Sequence, residues 1–143
     1  MHPYPHVYRV SAAGTQTGPV TVASPQLRDI KAAPPPELDG PGGVWSPESL
    51  LCAAVADCFI LTFRGLSRAA RLDWLKLECR TEGTLERVEG VSQFTRHATF
   101  ATLTVPAGSD VTKARAMLER AEHSCLTRGV RTLEAEVVTA PPA

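Results

Sequence analysis

The sequence predicts an α+β fold, and three observations carry the prediction. Residues 74–87 and 94–105 alternate apolar and polar side chains at the two-residue period of a strand. From Pro47 to about Arg71, apolar residues recur at helical spacing without a break. Proline and glycine clusters separate these segments into the order β-β-α-β-β-α-β, with long hairpin strands.

At 143 residues the chain is expected to be a single domain, 1–143, burying roughly two thirds of its unfolded surface. Its 15 basic and 15 acidic residues cancel, which argues against a nucleic-acid binder, since that role needs a net basic face. No apolar stretch is read as reaching the roughly 18 residues of a membrane span, so no membrane partner is expected. The start, Met1-His2-Pro3-Tyr4-Pro5, lacks the basic and apolar regions of a secretory leader. A cytoplasmic location follows as an expectation. In that compartment a cysteine pair is more often catalytic or redox-sensing than a structural staple.

In chain order, Val7–Val10 and Val20–Ala23 read as a β-hairpin with Gly14 and Gly18 bracketing the turn. Residues Pro34 to Gly43 hold too many prolines and glycines for helix or central strand and read as a connecting loop. Ser46-Pro47-Glu48 opens the longest helix: a serine N-cap, a proline preset for the first turn, and a carboxylate at the positive end of the dipole. Leu50, Leu51, Ala54, Val55, Cys58, Leu61, Thr62 and Gly65 recur along it, while Ala53, Ala56, Phe59, Ile60 and Phe63 fill the other sides. A helix apolar all round is buried all round, and in a chain this short a second subunit is the simplest cover. Trp74–Arg87 and Phe94–Val105 are the next strands, with a turn at Gly90. Asp110 caps a helix over Val111–Ser124, and Val130–Val138 is the last strand.

Cys58 and Cys125 lie on two different candidate helices, in Ala53-Ala54-Val55-Ala56-Asp57-Cys58-Phe59 and Ala121-Glu122-His123-Ser124-Cys125. If the fold unites them, they form a dithiol able to cycle through a disulfide. An apolar setting alone would keep Cys58 inert, so a polar partner must reach it. Glu48 is a candidate, but ten helical residues place it about 15 Å from Cys58, so it can serve Cys58 only from the other subunit of a symmetric dimer. Cys52, about 240° round the helix from Cys58, and Cys79, on a strand's apolar face, read as packing residues. His97 and His123 lack the spacing of zinc ligands to either cysteine, and Gly40-Pro41-Gly42-Gly43 lacks the Gly-Lys-Ser/Thr ending of a phosphate loop.

The run Gly40-Pro41-Gly42-Gly43-Val44-Trp45-Ser46-Pro47-Glu48-Ser49-Leu50-Leu51, with the helical Cys58 ten residues after Glu48 and the Cys125 segment, resembles the OsmC/Ohr family of organic hydroperoxide-reducing proteins. The resemblance spans most of the chain. It implies an intertwined homodimer with antiparallel sheets wrapped around two central helices and two active sites at the interface. It also implies Cys58 as the peroxide-attacking thiol, Cys125 as the resolving one, and Glu48 in the polar network of the opposite subunit. The implied substrate is an organic hydroperoxide, reduced to its alcohol, and the implied reductant is a dithiol, lipoyl-linked in the hydroperoxide-reductase branch. No metal or organic cofactor is implied.

Two positions depart from the pattern. The family arginine that pairs with the glutamate falls near Gln16, which brings no charge, and Arg9 and Arg28 are the available substitutes. Leu126 follows Cys125 where proline is frequent. A non-catalytic relative therefore stands as the alternative, binding a small apolar ligand or sensing oxidants through its thiols.

Overall fold

The computed structural model describes residues 1–124 and 130–142. Among them run six strands and two α-helices: β1 (Ser11–Ala13), β2 (Val20–Ala23), β3 (Ile30–Ala32), α1 (Pro47–Ala69), β4 (Lys76–Val88), β5 (Val91–Val105), α2 (Val111–His123) and β6 (Val130–Thr139). They make two three-stranded sheets, ordered β1-β2-β3 and β4-β5-β6. By backbone contacts the chain divides into two compact units, Met1–Leu50 and Leu51–Ala143.

In the first unit the strands form an antiparallel meander, with Ala12 opposite Val22 and Val22 opposite Ile30. The expected hairpin is present, but its first strand is Ser11–Ala13 instead of Val7–Val10. β2 has four residues, and its register uses them on 11–13, leaving no ladder for residues 7–10; Val7, Tyr8 and Val10 stay exposed. β3 was not expected, because three residues give a period-two pattern too little length to register. The proline-rich loop then makes a single 3₁₀ turn at Pro36–Leu38. It closes so tightly that a side chain at Gly40 would sit 1.6 Å from the Pro34 carbonyl oxygen, so glycine is required there. Ala33 N–H donates to the Trp45 carbonyl at 2.9 Å, delivering the chain to the start of α1.

Ser46 caps that helix as its sequence predicts. Its hydroxyl accepts from Ser49 N–H at 3.1 Å, and the Ser49 hydroxyl accepts from Ser46 N–H at 2.9 Å. This is a capping box with serine at the third position. The far end closes with Leu72 N–H on the Ser67 carbonyl at 2.9 Å and Arg71 N–H on the Arg68 carbonyl at 3.2 Å. That pairing is a Schellman motif, and it holds Arg71 left-handed at φ 54°, where glycine is usual.

In the second unit β4 and β5 form a long antiparallel hairpin, in register from Lys76 opposite Thr104 to Val88 opposite Val91, with one bulge at Thr84/Leu85. Toward the turn, β4 runs one residue past the expected Arg87 and β5 starts three residues before the expected Phe94. Glu89 (φ 50°) and Gly90 (φ 80°) make a two-residue loop whose two positive φ angles match the strand twist. Asp110 caps α2 by accepting from Lys113 N–H at 3.0 Å, and α2 returns the chain so that β6 pairs parallel to β5. The core lies on one face of this sheet: Leu77, Ala101, Leu103 and Val105 pack with Phe59 and Phe63 of α1 and Ala114, Met117, Leu118 and Ala121 of α2. Phe63 meets Trp74 edge-on with ring centroids 5.3 Å apart. The opposite face carries charge, with Arg80 stacked 4.2 Å over Phe100.

One expectation is corrected. α1 is long and apolar enough to cross a membrane, with a mean hydropathy of 1.7 over an 18-residue window. Between Glu48 and Arg64 only Asp57 carries charge, a density of apolar residues that a count of unbroken runs passed over. Core helices of globular domains meet the same threshold, and α1 supplies Phe59 and Phe63 to the core. Within the single chain it is buried on one side. Its buried residues are Val55, Phe59, Phe63 and Ser67, a single stripe at four-residue spacing.

Candidate functional site

Cys58 is a free, part-buried thiol in the middle of α1. Its Sγ lies 3.7 Å from the hydroxyl of Thr62, one turn further along. The residues at 51, 54, 58, 61 and 65 are spaced 3-4-3-4, the spacing of a helix-packing seam. This seam is open in the chain: Leu51 and Leu61 are 37% and 50% exposed, and a methyl group added at Gly65 would touch nothing within 4 Å. Cys58 therefore sits on an apolar stripe separate from the one that faces the core.

Glu48 stands in the first turn of α1, in the first unit. It lines an apolar cleft of about 440 Å³, walled by Ala12, Val20 and Val22 of the meander, by Ala32, Ala33, Pro34, Pro35 and Leu38 after it, and by Pro47 and Leu50 of the helix start. Among the described residues the glutamate is the one charged group in that lining. Its Oε2 is buried with no hydrogen-bond partner among the described residues, and it joins no ion pair there. A carboxylate oxygen so placed loses its water without compensation, which costs free energy until a donor arrives. Because α1 is continuous from Pro47 to Ala69, Glu48 and Cys58 stay about 15 Å apart along its axis and do not meet within the chain.

Cys79 and Cys52 pack. Cys79 Sγ–H donates to the Ala56 carbonyl at 3.6 Å, and burial first, then the charge of Asp57, pushes its thiol pKa up from the ordinary 9.0. A thiol held protonated in this way is a poor nucleophile. Cys52 lies against Gly83 of β4, where an added Cβ would come within 2.7 Å of its Sγ and of Phe94 Cε1. Sequence reasoning missed this close approach. A glycine inside a strand pattern is its one signal.

Cys125 lies outside the described residues, as do Leu126, Thr127, Arg128 and Gly129. Gln16 sits in the exposed bend between β1 and β2, and Arg9 and Arg28 are exposed in the same unit. None of the three lines the Glu48 cleft. His97 is buried on β5, its ring 5.0 Å from that of Phe94, and His123 is exposed at the end of α2. Among the described residues no three His, Cys, Asp or Glu side chains gather as a metal-holding group.

A half-buried helical thiol and a glutamate in an apolar cleft sit on an α+β frame of two sheets and two helices. The family model for OsmC-like proteins matches residues 40–140, and the chain belongs to that family. It is 30% identical over 95 residues to the uncharacterized protein YmaD of Bacillus subtilis strain 168, a match covering 64% of this chain and 63% of YmaD; the chain thus spans under two thirds of that relative. An OsmC-like protein of unknown function from Vibrio cholerae superposes with a TM-score of 0.82 at 14% identity, over 92% of this chain and 99% of that one. An organic hydroperoxide resistance protein OsmC from Legionella pneumophila superposes with a TM-score of 0.74 at 23% identity, over 95% and 99%. Both structural likenesses are likenesses of fold.

Proposed function

We propose that this chain is a thiol-dependent peroxidase that reduces organic hydroperoxides to alcohols in the cytoplasm, acting as a homodimer. The observation that carries the reading is the placement of Cys58, a free thiol on the open seam of α1. Two copies packed seam to seam cover Leu51 and Leu61. The same packing removes water from around the Cys58 sulfur. The Cys58 thiolate attacks the hydroperoxide, ROOH, at its terminal oxygen. The O–O bond breaks, the alcohol ROH departs with a proton, and sulfur is left as the sulfenic acid. The Cys125 thiol then attacks that sulfur, forming the Cys58–Cys125 disulfide and releasing water. An external dithiol, lipoyl-linked in this reading, returns both cysteines to thiols and leaves as its own disulfide. Glu48 acts from the opposite subunit, accepting a hydrogen bond from the peroxide or from a group that orients it.

The test treats reduced protein with one equivalent of cumene hydroperoxide and counts free thiols in the parent and in the Cys58→Ser and Cys125→Ser variants. Rapid loss of two thiols in the parent, none in Cys58→Ser, and a trapped sulfenic acid in Cys125→Ser are expected. Retention of both thiols in the parent would sink the peroxidase. Mixing Glu48→Ala with Cys58→Ser subunits tests the trans arrangement, since restored activity after verified exchange requires the two residues to meet across the dimer.

One observation favours a second reading. With Gln16 where the family arginine is expected and Glu48 in no ion pair, no described cation stabilises a thiolate through the glutamate. A protein that binds a small apolar ligand, or that oxidises once as a sensor without turnover, accounts for that charge pattern. Fast thiol loss with no sustained turnover under any dithiol reductant identifies it.

A further inference from the structure

We propose, on the reading of Glu48 given above, that the cleft of the first unit selects its ligand by the head group: an alkyl chain ending in a hydrogen-bond donor that is not anionic. Three features point there. The cleft's volume of about 440 Å³ falls within the range of small-molecule sites, which spans roughly 300–1,000 Å³. Its walls, among them Val20, Val22, Pro34, Leu38 and Leu50, offer methyl and methylene surface that suits an alkyl chain. Among the described residues its single charged group is Glu48, whose buried Oε2 has no hydrogen-bond partner there.

The electrostatics decide which head group fits. A hydroxyl, hydroperoxide or ammonium group donates to the orphaned oxygen, and its binding removes the desolvation penalty that Glu48 carries alone. A carboxylate brings no donor and sets a second negative charge beside the first in an apolar setting, where like charges repel most strongly. Among the described residues no arginine is there to neutralise the pair, because Arg9 and Arg28 stand outside the cleft lining. Hydroperoxides that present a neutral or cationic donor to Glu48 are therefore the substrate class, and entry carboxylate first is disfavoured.

The experiment is calorimetric titration of the Cys58→Ser protein, which separates binding from turnover, with octylammonium, octanol and octanoate. Octylammonium and octanol are expected to bind at least tenfold more tightly than octanoate. In a Glu48→Gln background the ammonium-to-octanoate ratio should fall at least tenfold. Val22→Phe, with an unchanged circular dichroism spectrum, should abolish binding of all three by filling the cleft. Equal affinity for the three head groups, or a preference for octanoate, overturns the proposal. So does binding indifferent to Val22→Phe, which would place the ligand elsewhere. Absence of binding by all three overturns it as well, since a second copy or another part of the chain then covers the cleft in solution. Thiol titration with cumene hydroperoxide is independent of these results: selective binding with inert thiols would remove the peroxidase alone, and reactive thiols without head-group selectivity would remove this inference alone.

Discussion

Replacing Gly83 by alanine probes how closely α1 is held against the sheet at Cys52. The new methyl would lie 2.7 Å from Cys52 Sγ and 2.7 Å from Phe94 Cε1, distances at which atoms must move. Overpacking of this kind costs about 1–3 kcal/mol. Alanine also relieves the entropic penalty of glycine in a strand, about 0.5–1 kcal/mol, because Gly83 does not occupy the left-handed region. The net expectation is a loss of about 0.5–2 kcal/mol, or roughly 1–8 °C in Tm at the 2–4 °C per kcal/mol typical of chains somewhat larger than this one. Cys52→Ala removes one of the two obstructing groups, so Gly83→Ala should cost less in that background. A double-mutant cycle isolates the difference, with an interaction of about 0.5–1 kcal/mol expected. The measurement is urea unfolding followed by circular dichroism at one fixed protein concentration, since an associating chain gains apparent stability with concentration. A Gly83→Ala protein as stable as the parent would refute the close approach, and a cycle that closes to zero would show that Cys52 is not the obstruction.

The remaining predictions concern the ends of α1, the core and Cys79. Arg71→Gly removes a left-handed arginine from the helix's closing turn and should stabilise the fold by up to about 1 kcal/mol in thermal unfolding; a lower Tm would contradict the Schellman geometry. Ser46→Ala deletes one half of the reciprocal cap and should cost about 1 kcal/mol, with Ser46→Asp recovering most of it. Phe63→Ala empties a fully buried site against Trp74 and should cost about 3–5 kcal/mol in chemical denaturation, and a loss under 1 kcal/mol would place Phe63 outside the core. Cys79 titrates above the ordinary 9.0 because burial and Asp57 both disfavour its thiolate, so the folded chain holds that proton more tightly than the unfolded one. Its contribution is complete below pH 9.0 and is lost as pH rises from there through the folded value. The alkaline decline in stability should flatten in Cys79→Ala, and identical slopes in the two proteins would contradict the shift.

Elements set by local chemistry were legible in the chain. Ser46-Pro47-Glu48 and Asp110 announce helix starts because capping depends on a few neighbouring residues, and both caps form. The β4–β5 hairpin announces itself through long alternation. What stayed hidden depends on partners distant in sequence. β3 exists because β2 lies beside it, and Val7–Val10 alternates as a strand yet finds no partner. At the site, sequence picked out Glu48 and Cys58 from their spacing. It could not reveal that Glu48 belongs to an apolar cleft, because that cleft is assembled from residues 12 to 50. Nor could it show that Asp57, turned away from Cys58 on the helix, acts on the Cys79 thiol.

Two deficits in the single chain have the same kind of remedy. The seam through Cys58 leaves Leu51 and Leu61 in water, and only 17% of α1's apolar window is buried within the chain. Exposed apolar surface on a helix that cannot leave its fold favours association with any complementary surface. An identical seam is complementary by symmetry, since a two-fold axis sets each residue against the same patch it presents. Glu48, for its part, holds a buried acceptor with no donor. If two copies pack seam to seam, Cys58 gains a dry setting, and a ligand or opposite subunit could then give Glu48 its donor. Neither gain is available to the chain alone, so stability of the assembly and competence of the thiol are expected to rise and fall together. Dilution far enough to separate the copies should then slow the thiol's reaction with hydroperoxide as well as lower the unfolding midpoint.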